Sequence, residues 1–346
     1  MIKEAINILS SGKDLNAKQM SESMEEIMSG KAGTAEIIAF LAGLDEKGET
    51  AEELGAAVKM MRRFSTKIKS RHKVILDTCG TGGDCKYTFN ISTAAAFVAS
   101  GAGVPVAKHG NRSVSSSCGS ADCLEALGVN INMPVAQTEK CLNELGIAFL
   151  FAQNFHPAMK YAMPARKAIG KKTIFNILGP LSNPAGATHQ LIGVYDQRWM
   201  AILAEALVGS GIQHALIVHG KDGLDELTTT DDTLVFEVRQ GKIMEQRVNY
   251  QDDFGFKKSA LEDLTGKDAA VNARIVREVL GGQGGAKADI VLLNAAAGIY
   301  CADATAAKFL KDGIREGIAL ARESISSGRA LEKLELLKKY SRNSPD

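Results

Sequence analysis

The stretch Lys73-Val-Ile-Leu-Asp77-Thr-Cys-Gly80-Thr-Gly82-Gly83-Asp84, followed by Thr93-Ala-Ala-Ala-Phe-Val-Ala-Ser100, decides the fold. A short β-branched run enters a loop with three glycines in four positions, and a helical pattern leaves it. The glycines let backbone N–H groups turn toward an anion. The helix opening near Ser92 and Thr93 adds its N-terminal donors and dipole. The loop has neither the G-K-[ST] ending of a Walker A motif nor the G-x-G-x-x-G dinucleotide spacing.

Runs at 104–107, 147–151, 189–195, 214–219, 234–239, 243–248 and 290–293 predict further strands, with helical stretches between them. That alternation implies an α/β fold with a largely parallel sheet flanked by helices. Gln240-Gly-Lys242 joins two alternating runs as a hairpin, so the sheet is expected to be mixed. Upstream, residues 1–70 carry only helical signals. Asn16 with Gln19 and Thr50 with Glu53 fit capping boxes, Gly30 and Gly48 sit where helices stop, and Ile37, Ile38, Phe40, Leu41 and Leu44 form an apolar stripe. The expected organisation is a small all-α N-terminal domain over 1–70, completed by a segment around 165–187, and a large α/β domain over 73–346 with a central, mostly parallel mixed sheet. The apolar faces left over on the helical domain are candidates for a partner surface.

At 346 residues, 45% apolar and 23% charged, the chain is globular. Its 41 basic and 40 acidic residues leave a net charge of +1, which argues against a partner as long and anionic as nucleic acid. No apolar h-region precedes Ser10, and the longest uncharged run, 87–107, is interrupted by Asn90, Gly101 and Pro105. A cytoplasmic protein without a membrane partner is expected. The six cysteines form no C-x-x-C pair and no zinc spacing, and are read as free, mostly buried thiols.

Two further loops follow predicted strands. Lys108-His-Gly-Asn-Arg112-Ser-Val-Ser-Ser116 gathers two permanent cations, an amide and several hydroxyls around Gly110, a donor set suited to phosphate oxygens. In an open α/β sheet it emerges at the same strand ends as the 80–84 loop, so the two share one site. Gly220-Lys-Asp222-Gly-Leu-Asp225-Glu226 offers adjacent carboxylates for Mg²⁺, with Ser92 as a further oxygen ligand.

Together with Asn90-Ile-Ser-Thr93 and Asn176-Ile-Leu-Gly-Pro-Leu-Ser-Asn-Pro184-Ala, these motifs resemble the anthranilate phosphoribosyltransferase family, in order and over nearly the whole chain. The resemblance implies transfer of the 5-phosphoribosyl group from phosphoribosyl pyrophosphate to the amino group of anthranilate, releasing pyrophosphate, a step of tryptophan biosynthesis. By motif it places phosphoribosyl pyrophosphate on Gly80, Gly83, Asp84, Thr88, Asn90, Ile91, Ser92, Thr93, Lys108, His109, Gly110, Asn111, Arg112, Ser113, Val114, Ser115, Ser116 and Ser120. It places anthranilate on Gly80, Asn111 and Arg166, and Mg²⁺ on Ser92, Asp225 and Glu226. Lys108, Asn111 and Arg166 form the implied catalytic set. It also implies a homodimer through the helical domain.

Breaking the bond from C1 to pyrophosphate builds negative charge on the leaving group and positive charge on the ribose, so Mg²⁺ and Lys108 are expected to stabilise the departing anion. The arylamine is already neutral at pH 7 and needs no strong base. Orientation and electrostatics are therefore expected to carry catalysis, with Arg166 fixing the anthranilate carboxylate. His109 and His156 stay ambiguous: either could line an aromatic acceptor site, but a lone histidine is more often a structural hydrogen-bonder, and neither is assigned a catalytic proton role. The KHGNR run is shared with pyrimidine nucleoside phosphorylases, the nearest alternative reading. A non-catalytic nucleic-acid-binding relative is the other, and it predicts a basic groove that the balanced charge does not suggest.

Overall fold

The computed structural model describes residues 1–113 and 117–342. Four helices open the chain: α1 (Ile2–Ser10), α2 (Ala17–Met28), α3 (Thr34–Lys47) and α4 (Ala51–Phe64). α2 and α4 begin at the two capping boxes, where Asn16 accepts the Gln19 N–H at 2.9 Å and Thr50 the Glu53 N–H at 3.2 Å. Glu53 is buried and also receives the Leu15 N–H at 2.8 Å and the Lys47 ammonium at 2.9 Å, which ties the end of α3 to the start of α4. Gly30 and Gly48 follow α2 and α3 with φ of +75° and +87°, a positive φ that ends a helix and that glycine adopts without strain.

The chain continues through β1 (Leu76–Gly80), α5 (Ile91–Gly101), β2 (Val106–Gly110), α6 (Ser120–Ala126), α7 (Val135–Lys140), β3 (Ile147–Phe151), α8 (Ala152–Phe155), α9 (Met163–Ile169) and α10 (Ile174–Leu181). It then forms β4 (His189–Gly193), α11 (Trp199–Leu207), β5 (His214–Gly220), β6 (Asp232–Arg239), β7 (Lys242–Asn249), α12 (Ala269–Leu280), α13 (Ala286–Cys301), α14 (Leu310–Ser326) and α15 (Arg329–Arg342). One sheet takes the order β3-β2-β1-β4-β5-β6-β7. Its first five strands are parallel, while β6 and β7 are antiparallel and joined at Gln240 and Gly241, both with positive φ as a two-residue hairpin requires.

Two expectations fail locally. Residues 290–293 are not a strand but the middle of α13, a helix buried from Ile290 to Cys301. A short, wholly apolar run carries no period that separates a strand from a helix buried on all sides. The sequence from Ala158 to Ile169 reads as one helix, but it is broken: a 3₁₀ turn spans Pro157–Tyr161, and α9 begins at Met163 with Pro164 in its first turn.

Strand residues alternate between two cores. Leu191, Leu216 and Val218 pack toward α5 and α13, whereas Ile192, Ala215 and Ile217 pack toward α11, and this second core runs on into α1–α4, α9 and α10. Successive strands move toward one edge from β1 to β3 and toward the other from β4 onward. The connections therefore diverge between β1 and β4, the kind of switch point where open α/β sheets bind ligands. β1, β2, β4 and β5 all end in glycine, so backbone and neighbouring loops can close in at these strand ends. Among the described residues no helix is long and apolar enough to cross a membrane.

Candidate active site

The floor of the site is the paired ends of β1 and β4. Gly80 lies beside Gly193, and the Thr81 N–H donates to the Gly193 carbonyl at 2.8 Å. The loop after β5 drops onto this pair so closely that a Cβ on Gly193 would stand 1.5 Å from the Asp225 carbonyl oxygen. Asp225 Oδ2 then accepts the Gly82 N–H at 3.0 Å. Beyond it, Gly82, Gly83, Cys85 and Tyr87 all have positive φ; the two non-glycine residues hold a costly conformation that only tight surroundings maintain. Thr78, Gly80, Ser92, Gly193, Asp225 and Glu226 line a small cavity at the centre of this arrangement.

Three carboxylates crowd here. Burial, then the neighbouring Asp84, raises the Asp225 carboxyl above its usual range; burial, then Asp225, raises Glu226 as well. Burial also raises Asp84, whose Oδ2 has no hydrogen-bond partner among the described residues. Asp225 and Glu226 are reached in part by solvent, yet protein atoms surround both. Asp84 belongs with these carboxylates, which accounts for an acid at the end of a loop of anion-type donors. Repelling, half-desolvated carboxylates and an orphaned oxygen fit a hard divalent cation. Among the described residues no three His, Cys, Asp or Glu side chains already form a metal cage. The donor set thus suits an ion that takes two carboxylates and fills its remaining positions with water or substrate oxygens, as Mg²⁺ does.

Lys108 is buried on β2, its ammonium bonded to the Thr78 carbonyl and, at 3.1 Å, to Ser92 Oγ. Burial lowers its proton affinity, while Asp77 and, at longer range, Glu226 and Asp225 pull the other way. Next to it the His109 N–H donates to Asp77 at 3.0 Å, and its ring Nδ1 lies 3.1 Å from the Gly179 carbonyl. Asn183 donates to Asp77 at 2.7 Å and to the Ala107 carbonyl at 2.8 Å, so this buried pair moors the 176–185 segment to β1 and β2.

His109 and His156 face each other with ring centroids 5.1 Å apart. Burial depresses them to about 3 and about 4. Since the unfolded chain takes up a proton on each below about 6.5 and the folded chain does not until near 3 to 4, stability is lost as pH falls across that window, by about 2 kcal/mol per histidine at pH 5. The fall in Tm between pH 7 and pH 5 should therefore be smaller in His156→Phe than in the parent protein. An equal fall in both would remove His156 from this account.

The remaining expected residues scatter more. The Asn90 side chain donates to the Cys118 carbonyl at 3.3 Å, Thr88 bridges to Thr265, and Ile91 and Thr93 are buried at the start of α5. Asn111 and Ser120 meet across their own loop, where Ser120 Oγ lies 3.4 Å from the Asn111 carbonyl, and a Cβ on Gly110 would collide with Ser120 and Phe149. Arg112 pairs with Asp122 at 2.8 Å and Glu125 at 2.5 Å on α6. The Ser113 N–H donates to Asp122 at 3.2 Å. Val114, Ser115 and Ser116 lie outside the described residues. Arg166, half-buried on α9, donates to Asn176 at 3.4 Å and lies over Phe175. Burial lowers its affinity for a proton, but a guanidinium stays charged. Among the described residues no hydrogen bond links Arg166 to Gly80 or Asn111. Nothing local in the sequence signals Gly193 or the pairing of Asp77 with Asn183, because both depend on strands brought together from distant parts of the chain.

Known proteins share this architecture. The family described as "Glycosyl transferase family, helical bundle domain" matches residues 3–65, and "Glycosyl transferase family, a/b domain" matches 72–331. The chain is 49% identical to an anthranilate phosphoribosyltransferase of Anaeromyxobacter sp. (strain K), over 97% of this chain and 98% of that one. It is 47% identical to that of Acetivibrio thermocellus, over 97% and 95%. Among solved structures, the anthranilate phosphoribosyltransferase of Thermus thermophilus superposes with TM-score 0.90 at 39% identity, covering 98% of this chain and 99% of that chain. The Saccharomyces cerevisiae enzyme in complex with PRPP and Mg gives 0.88 at 29% identity, covering 98% and 97%.

Proposed function

The chain belongs to the anthranilate phosphoribosyltransferase family, and we propose that it transfers the 5-phosphoribosyl group of phosphoribosyl pyrophosphate to the amino group of anthranilate. The observation that carries this reading is the meeting of the Asp225–Glu226 loop with the 80–84 glycine loop at the divergence of β1 and β4. Carboxylates for a metal and backbone donors for phosphate lie in contact there, and a relative with the same fold binds PRPP and Mg.

In this reading Asp225, Glu226 and Ser92 hold a magnesium ion whose charge offsets that of the departing pyrophosphate. The glycine loop, the start of α5 and the 108–120 loop hold the phosphoribosyl group, with Lys108 beneath as a buried positive charge. The bond from ribose C1 to the pyrophosphate oxygen breaks with its electron pair leaving on pyrophosphate. The anthranilate nitrogen supplies the pair for the new C1–N bond and then loses a proton to solvent. Gly80, Asn111 and Arg166 orient the acceptor, and Arg166 meets its carboxylate. A homodimer formed through the helical domain, in the cytoplasm, completes the proposal.

Anthranilate consumption should require Mg²⁺ and release one pyrophosphate per product. Phosphate-dependent cleavage of a pyrimidine nucleoside that survives full Mg²⁺ removal would favour the phosphorylase reading instead. Arg166→Ala is expected to raise the KM for anthranilate by about tenfold or more and that for phosphoribosyl pyrophosphate little, as loss of one charge-assisted carboxylate contact requires. If the two constants rose together, Arg166 would not be the acceptor residue.

A further inference from the structure

Lys172 is not explained by the motifs, yet it makes the closest polar contact to the glycine loop from outside the sheet. It lies in the short link between α9 and α10, two helices that share a core with α1–α4. Gly170, with φ +66°, ends α9, Thr173 begins α10, and the adjacent Lys171 pairs with Asp45 of α3 at 2.5 Å. From this anchored link the Lys172 ammonium donates to the Gly83 carbonyl at 2.6 Å. It also sits 3.2 Å from the ring centroid of Tyr195, a cation–π contact. Tyr195 is itself tied to the same loop, its N–H donating to Thr81 Oγ1 at 3.1 Å. Burial disfavours the charge of this ammonium, while Cys85, Asp225, Asp84 and Asp196 favour it, and Tyr195 is the titratable ring in direct contact.

We propose that Lys172 is a positioning residue for phosphoribosyl pyrophosphate, holding the Gly83–Asp84 peptide in the orientation that presents the Asp84 N–H to phosphate. The two groups of a trans peptide point to opposite sides, so an ammonium that fixes the carbonyl fixes the N–H as well. Gly83, with φ +81° and no side chain, lets that plane turn easily, and besides Lys172 its carbonyl meets the Cys85 thiol in a weak contact at 3.7 Å. Because the ammonium comes from the helical side, it also makes the loop's shape depend on how that side is seated.

The inference rests on the proposed reaction, and its test separates the two. Lys172→Met keeps the stem and removes the charge; it should raise the KM for phosphoribosyl pyrophosphate about tenfold, leave that for anthranilate within about twofold, and leave Tm unchanged. Lys172→Arg should restore most of the loss. A Lys172→Met protein with unchanged KM for phosphoribosyl pyrophosphate would overturn the proposal. So would a rise in both constants with a lowered Tm that arginine does not rescue, since that marks a packing role. If the parent protein consumes no anthranilate, the reaction assignment has failed. Calorimetric titration of phosphoribosyl pyrophosphate with Mg²⁺ into parent and Lys172→Met proteins then still decides, and equal binding or no binding overturns the role.

Discussion

Glu226→Gln should lose at least about 100-fold in kcat/KM at limiting Mg²⁺ and at the same time melt a few degrees higher than the parent protein. The two halves have one cause. Burial, then the charges of Asp225 and Asp84, disfavour ionisation of Glu226, so losing its proton costs more in the folded chain than in the unfolded one. The amide keeps the shape and removes the repulsion, which stabilises the fold, but it also removes a ligand charge. Asp225→Asn should behave in the same way, with an added disturbance at Gly82, whose N–H that carboxylate accepts. Kinetics across a Mg²⁺ titration and thermal melting of the same samples check both halves. Parent-like kinetics at limiting Mg²⁺, or a variant less stable than the parent, would end the metal-site account.

Gly193→Ala should lower turnover by about 100-fold or more and destabilise the chain, because the new methyl has nowhere to go. It would stand 1.5 Å from the Asp225 carbonyl oxygen, a backbone atom rather than the end of a flexible side chain. Relieving the clash means lifting the Asp225–Glu226 loop from the end of β4, which breaks the bond from Gly82 to Asp225 and separates metal ligands from phosphate loop. Gly284→Ala, with nothing within 4 Å of the added carbon, is the matched control. Similar activity and Tm in the two variants would mean that the close approach at Gly193 does not build the site.

The features legible in the sequence are those written locally. A β-branched run, a glycine loop and an alanine-rich helix in succession identified β1 and α5, and Gln240-Gly241 identified the hairpin. The three loops around Gly82, Gly110 and Asp225 were legible because glycine, cations and carboxylates concentrate in them just after strands. α13 was misread at 290–293 because full burial erases the helical period. Gly193, Asp77 with Asn183, and Lys172 were not legible, since each acts through a partner roughly 30 to 110 residues away, brought near by parallel strands with long crossovers. Arg112 reads from its loop as a phosphate donor, and the structure adds what the local sequence does not reveal, its pairing with Asp122 and Glu125 on the next helix.

In the proposed function, the glycine loop and the Asp225–Glu226 pair form one Mg²⁺-dependent phosphoribosyl transfer site. Its most direct test is the loss of anthranilate fluorescence on mixing purified protein with anthranilate, phosphoribosyl pyrophosphate and Mg²⁺. Fluorescence should decay only when all three are present, at a rate proportional to protein, and should stay constant with EDTA or with Glu226→Gln at limiting Mg²⁺. Steady fluorescence in the complete mixture, or decay that persists without phosphoribosyl pyrophosphate or Mg²⁺, would contradict it.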